Sequence, residues 1–95
     1  MTAFTCVATE VVTSRQKTVG FAYRTDPVSA IDSGWRFLSG TESEAYMENP
    51  SHYITCVLAD FAREHPDVAS LLDAPAGAAF ERDDARAPFE AVPLE

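Results

Sequence analysis

The only tryptophan of the chain, Trp35, stands between two glycines in Asp32-Ser33-Gly34-Trp35-Arg36-Phe37-Leu38-Ser39-Gly40. In a chain of 95 residues this stretch constrains the fold more than any other. A domain of that size buries only about 60–65% of the surface its unfolded chain exposes, so it has room for one modest core. Trp35-Arg36-Phe37-Leu38 reads as a short strand, with Trp35 and Phe37 on one side and Arg36 on the other. Gly34 breaks the connection before it, and Ser39-Gly40-Thr41 turns the chain after it. Trp35 and Phe37 then anchor the core, while Asp32 and Arg36, four apart, pair to order the loop. The functional alternative is a Trp/Arg hot spot at an interface, and alternation allows at most one of Trp35 and Arg36 to face the core.

Strands dominate the first half. Phe4–Thr13 is rich in Val, Thr and Ala and predicts a strand, with turn material at Thr13-Ser14-Arg15-Gln16. Thr18–Arg24 alternates, placing Val19, Phe21 and Tyr23 on one face, with Gly20 as a bulge or a close approach. The middle reads as helix. Thr41 caps a short helix over Glu42–Met47 whose first turn is acidic. Asn49-Pro50 has the form of an N-cap followed by Pro at the first helical position, and that helix runs to about Glu64. Its apolar stripe is Tyr53, Ile54, Val57, Leu58 and Phe61. His65-Pro66 stops it, and a two-turn helix follows at Asp67–Leu72. Ala78–Arg82 predicts a last strand presenting Phe80 to the core, Asp83-Asp84-Ala85-Arg86 a polar turn, and Phe89–Val92 a short edge strand. Strands, then helices, then strand is an α+β order. The expected architecture is a single domain over residues 1–95, a small, mainly antiparallel sheet with two to three helices packed on one face.

Seven Lys+Arg against fifteen Asp+Glu give a net charge of −8. An acidic surface repels nucleic acid and anionic membranes, so neither is expected as a partner, whereas a basic protein is admitted. The N-terminus lacks the basic and apolar regions of a signal peptide, and no stretch is long enough to span a bilayer, which points to the cytoplasm. Cys6 and Cys56 read as reduced, structural thiols. No zinc spacing is present, and no metal or other cofactor is expected. On the predicted helix His52 and Cys56 share a face, but one turn of helix does not orient a base, so no catalytic cysteine is inferred.

The acidic residues group along the chain. Glu42, Glu44 and Glu48 fall in one stretch, and Glu44/Glu48 and Asp60/Glu64 stand four apart, a like-charge spacing that disfavours an isolated helix by about 0.2–0.5 kcal/mol per pair. They form either a solvated face or a surface complementary to a basic partner. Trp35 or Arg36 with Glu42, Glu44, Glu48, Asp60 and Glu64 are therefore the candidate partner-binding residues; no catalytic residues are assigned.

The block Asp-Ser-Gly-Trp-Arg-Phe-Leu-Ser-Gly at 32–40 is followed by Tyr46-Met47 and Asn49-Pro50. With Val-Gly-Phe-Ala-Tyr-Arg at 19–24, Asp67-Val68, Leu71-Leu72-Asp73 and Pro-Ala-Gly-Ala-Ala-Phe-Glu-Arg at 75–82, it is similar to the immunity protein thirty-three family of bacterial polymorphic toxin systems, once grouped as a domain of unknown function. The resemblance covers roughly residues 6–82. It implies a non-enzymatic, cytoplasmic protein that binds and neutralises a cognate toxin, and it carries over no catalytic residues. Joined to the charge, it suggests a basic toxin met by an acidic surface. The competing classes are an adaptor or regulatory domain that binds a housekeeping protein or a small ligand, and a small enzyme with a pocket near Asp32, Trp35 and Arg36. The enzyme requires a perturbed carboxylate beside Arg36.

Overall fold

The computed structural model describes residues 4–14, 17–84 and 86–93. Arg15, Gln16 and Ala85, which belong to two of the expected turns, lie outside them. The elements are β1 (Thr5–Thr9), α1 (Glu10–Thr13), β2 (Phe21–Arg24), β3 (Asp32–Leu38), α2 (Glu44–Glu48), β4 (Tyr53–Val57), α3 (Leu58–Glu64), β5 (Ala79–Glu81) and β6 (Glu90–Ala91), with 3-10 turns at Pro50–His52 and Pro66–Leu71. The strands form one six-stranded sheet in the order β4-β1-β3-β2-β5-β6. The β1–β3 pair is parallel, and every other pairing is antiparallel. The expected α+β class and mainly antiparallel sheet hold.

The core grows from the alternation on β3. Trp35 and Phe37 are wholly buried on one face, stacked 5.7 Å apart. Phe61 of α3 stacks on Phe37 at 4.5 Å, and Phe80 of β5 on Trp35 at 6.4 Å. Cys6, Ala8 and Ala22 from the neighbouring strands, Val12 of α1, Val19, and Val68 and Leu71 of the second 3-10 turn complete the cluster. Stacked aromatics add about 0.5–1.5 kcal/mol per pair beyond the area they bury. The core has one flaw. Trp35 Nε1 is, among the described residues, the buried side-chain polar atom with no hydrogen-bond partner, and an unmet buried donor costs about 1–3 kcal/mol.

Several expectations are corrected. The strand from Phe4 ends at Thr9, and Glu10–Thr13 winds into a single turn whose Val12 reaches the core. The helix expected from Pro50 to Glu64 does not form as one piece. Asn49 does cap Pro50, but only a 3-10 turn follows; Tyr53–Val57 is strand β4, and helix resumes at Leu58. Tyr53, Ile54, Thr55 and Val57 are aromatic or β-branched, types that fit a pleated surface, and β4 covers the side of β1 that β3 leaves unpaired. Over five residues a strand's alternation and a helical stripe select overlapping apolar sets, and the demand of β1 for a partner decides. His52 and Cys56 therefore share no helix face.

Ser43, not Thr41, caps α2, accepting from Tyr46 N–H at 3.1 Å. Gly34 does not precede β3 but lies inside it, at φ +87°, within a bulge that sets Thr5 opposite Asp32 and Val7 opposite Arg36. A Cβ at Gly34 would meet Thr25 O at 2.1 Å. Gly20 is the close approach its position suggested, since a Cβ there would stand 2.2 Å from Ser39 O. Because Gly20 ends the alternation, Val19 turns into the core while Phe21 and Tyr23 share the opposite side of the sheet.

Phe37→Ala is expected to lower unfolding free energy by about 3–5 kcal/mol, since Phe37 touches both Trp35 and the helix layer. Urea denaturation checks it. A loss of less than about 1 kcal/mol would mean that the stack does not hold the layers together.

Candidate functional site

Register fixes which residues face away from α3 and the second 3-10 turn. Tyr23 lies opposite Arg36, Phe21 opposite Leu38 and Glu81, and Val7 opposite both Arg36 and Thr55. Directly opposed residues share a face, and Arg36 lies on the side away from Trp35 and Phe37. This second face therefore carries Val7, Phe21, Tyr23, Arg36, Thr55 and Val57, none of them fully buried. The Phe21 and Tyr23 rings are 5.7 Å apart. A shallow depression of about 410 Å³ is lined by Phe21, Tyr23 and Leu38, by Glu42 and Met47, and by the exposed Glu81 and Asp83. Glu90 stands opposite Glu81 on the same face.

Two carboxylates hold the ends of this face. At one end Asp32, 6% exposed, receives both Nη groups of Arg36 at 2.9 and 3.0 Å. Its oxygens also accept Val28 N–H at 3.0 Å and Gly34 N–H at 2.9 Å. The Arg36 guanidinium, opposed by burial and joined by those two N–H groups, holds the Asp32 carboxyl well below the usual carboxylate range. The expected Asp32–Arg36 pair is thus present. The perturbation runs in the wrong direction for a general acid or base at neutral pH, because the carboxylate stays ionised and fully engaged.

At the other end Glu42 accepts Thr9 Oγ1–H at 2.7 Å, Ser39 N–H at 2.8 Å and Gly40 N–H at 2.9 Å. Burial pushes its pKa up, but these hydrogen bonds outweigh it, and the carboxyl titrates below its ordinary value. Folded back in this way, Glu42 stays outside α2.

The sequence-derived site residues separate accordingly. Arg36 sits in the uncovered face, while Trp35 is on the reverse side, wholly buried. Glu44 and Glu48 are exposed on α2, whose Met47 lines the depression. Helix α2 is held at the Thr9 end of the β1–β4 ladder, where Val11 N–H donates to Tyr46 Oη and Tyr53 Oη–H donates to Met47 O. Asp60 and Glu64 lie on α3, which starts beyond the opposite end of β4, and Asp60 is paired with Arg63. Five strand residues, roughly 17 Å, intervene, so the acidic residues do not form one patch. Phe21 and Tyr23 were not among the candidates. Their alternation with Ala22 was visible, but only the position of the helices shows which side stays uncovered.

Cys6 and Cys56 oppose each other across β1 and β4 as free thiols. Burial, with Cys56 beside it, pushes the Cys6 thiol up to about 12, and burial raises Cys56 as well; protonated thiols are poor nucleophiles. Among the described residues no three His, Cys, Asp or Glu side chains gather as they would around a metal ion. No helix among them is long and apolar enough to cross a membrane.

Compared with known proteins, residues 6–92 match the family model described as the immunity protein Imm33 domain. No curated protein and no solved structure matches the chain.

The Asp32 network yields a pH prediction. Its folded pKa lies below the unfolded value of about 3.9, so its stabilisation is complete well above pH 4 and is lost as pH falls through that value toward the folded pKa. Asp32→Asn should lower stability at pH 7 by about 3–5 kcal/mol by leaving Arg36 unpaired, and should flatten the acid limb of stability against pH. Urea midpoints measured from neutral to acid pH test both; an unchanged acid limb in Asp32→Asn would refute the assignment.

Proposed function

The chain belongs to the Imm33 immunity-protein family, and we propose that it neutralises a cognate toxin by stoichiometric, non-catalytic binding through the uncovered face of its sheet. The observation that carries this reading is the composition of that face. Phe21, Tyr23, Arg36 and Met47 are of the types enriched at interfaces, and Phe21, Tyr23 and Met47 line the depression there. Trp35 supports it from behind. The molecule measures 35 × 28 × 28 Å, enough to offer the about 800 Å² per partner of a standard interface.

Charge supports a basic toxin. Glu81, Asp83 and Glu90 border the aromatic centre, and Glu44 and Glu48 project from the helix beside it. Such a rim steers an oppositely charged partner and raises its association rate. Asp60 and Glu64, at the far end, contribute only to the long-range field. The ionised, engaged Asp32 and the protonated thiols support binding over catalysis, and free thiols suit the cytoplasm, where they stay reduced. In this reading inhibition is occlusion, with the toxin's own site covered by the sheet.

The test is rescue and affinity. A toxin captured with the wild-type chain is co-expressed with variants, and binding is measured at several salt concentrations. Tyr23→Ala and Phe21→Ala should each weaken binding about 30-fold, or about 2 kcal/mol, and abolish growth rescue. Replacing Glu44, Glu48 and Glu81 by Gln should mainly slow association and reduce its salt dependence. Affinity indifferent to both aromatic changes would overturn the face. Affinity indifferent to Gln at Glu44, Glu48, Asp60 and Glu64 would overturn the acidic contribution.

A further inference from the structure

The two edges of the sheet are built differently. At one edge lies β6, two residues long, containing Glu90 and set between Pro88 and Pro93. Shortness, charge and proline all guard an edge against pairing with another chain. At the other edge lies β4, and Tyr53-Ile54-Thr55-Cys56-Val57 carries neither a charge nor a proline. Its pairing with β1 runs without a bulge. Ile54 is 37% and Val57 39% exposed, and Thr55 is exposed as well.

Register shows which backbone groups of this edge are free. Leu58 N–H donates to Phe4 O, so the pairs that exchange hydrogen bonds between β1 and β4 are Cys6 with Cys56 and Ala8 with Ile54. Tyr53, Thr55 and Val57 therefore turn their backbone groups away from β1. Two of these groups are already used. Tyr53 N–H donates to Pro50 O, and Val57 O, at the N-cap of α3, takes the first bond of that helix. Thr55 N–H, Thr55 O, Val57 N–H and Tyr53 O remain without a partner among the described residues. A second β4, laid antiparallel about a two-fold axis through Thr55, meets all four. Each Thr55 N–H reaches Thr55 O of the other copy, and each Val57 N–H reaches its Tyr53 O. The two used groups then fall opposite each other. An ordinary strand of another protein would instead bring a C=O against Tyr53 N–H and an N–H against Val57 O, both already bound. We propose that β4 pairs with β4 of a second copy of this chain, joining the two sheets in a two-fold dimer. Ile54 then lies opposite Cys56 of the second copy and Val57 opposite its Tyr53, so apolar side chains meet on both faces. The contact is one short strand wide, so the dimer is weak. It does not rest on the toxin-binding reading, whose anchors Phe21 and Tyr23 stand on β2, beyond β1 and β3.

Sedimentation equilibrium of the full chain alone, from about 10 µM to about 1 mM, is the test. A monomer–dimer equilibrium is expected, tighter at about 0.5 M than at about 0.05 M salt, because each copy carries a net charge of −8 that salt screens. Thr55→Lys and Thr55→Glu each place like charges at the two-fold axis and should weaken the dimer at least about tenfold. An equal mixture of the two should recover it, since lysine then meets glutamate. Thr55→Pro removes an N–H that β1 does not use, and should weaken the dimer likewise. Hydrogen exchange at the Thr55 and Val57 amides should slow as concentration rises, while that of Tyr53 stays constant. A monomer at every concentration would overturn the proposal. So would a dimer indifferent to both Thr55→Lys and Thr55→Pro, or a lysine–glutamate mixture no tighter than either variant alone. Protection of the Thr55 and Val57 amides by a captured toxin but not by concentration would give the edge to the toxin and overturn it too.

Discussion

The stack of Phe61 on Phe37, with Trp35 beside it, holds the helix layer against the sheet, and the rest of the molecule follows from it. Phe37 and Trp35 are two residues apart on one strand, so both must point to the same side. Once α3 packs there, Arg36 between them is committed to the other side, and register carries that commitment across the sheet to Tyr23 and Val7. The core and the uncovered face are two consequences of one alternation. A one-residue slip of β3 would exchange them, burying a guanidinium and exposing an indole.

The acidity of the chain is not uniform in meaning. Asp32 and Glu42 are structural carboxylates that gather backbone N–H groups at opposite ends of the uncovered face, and each is kept ionised by the hydrogen bonds it accepts. Charged acceptors form stronger hydrogen bonds than neutral ones, which suits them to pinning irregular loops. Glu44, Glu48, Glu81 and Glu90 are exposed and remain available to a partner. The resulting surface has an aromatic centre and an acidic border; under the proposed function the aromatics supply affinity and the charges encounter rate.

The reverse side of the sheet is built differently. Where the uncovered face exposes its aromatics, the helix side encloses Trp35 and leaves one of its polar atoms unmet beside a fixed arginine. Natural cores rarely tolerate such a donor, and one that persists asks for a reason. Trp35 thus serves the core by its ring, while its neighbour Arg36 serves the opposite face.

The sequence alone determined the α+β class, the strand alternation that sets Trp35 and Phe37 against Arg36, the Asp32–Arg36 pair, the strand at Ala79–Glu81 and the membership that residues 6–92 carry. Each is written in local spacing or in a block of residues with few alternatives. Tertiary structure decided what local spacing leaves degenerate. Tyr53–Val57 satisfied a helical stripe and a strand alternation alike, and only the unpaired side of β1 selected the strand. Glu42 had the position of a helix-start residue, but contacts with Thr9 and the Ser39–Gly40 backbone drew it away. The acidic pairs on α2 and α3 looked like one surface until β4 placed a strand's length between them. Which face of the sheet would stay uncovered depends on where the helices return, and that is settled by long-range burial, which no short window of sequence records.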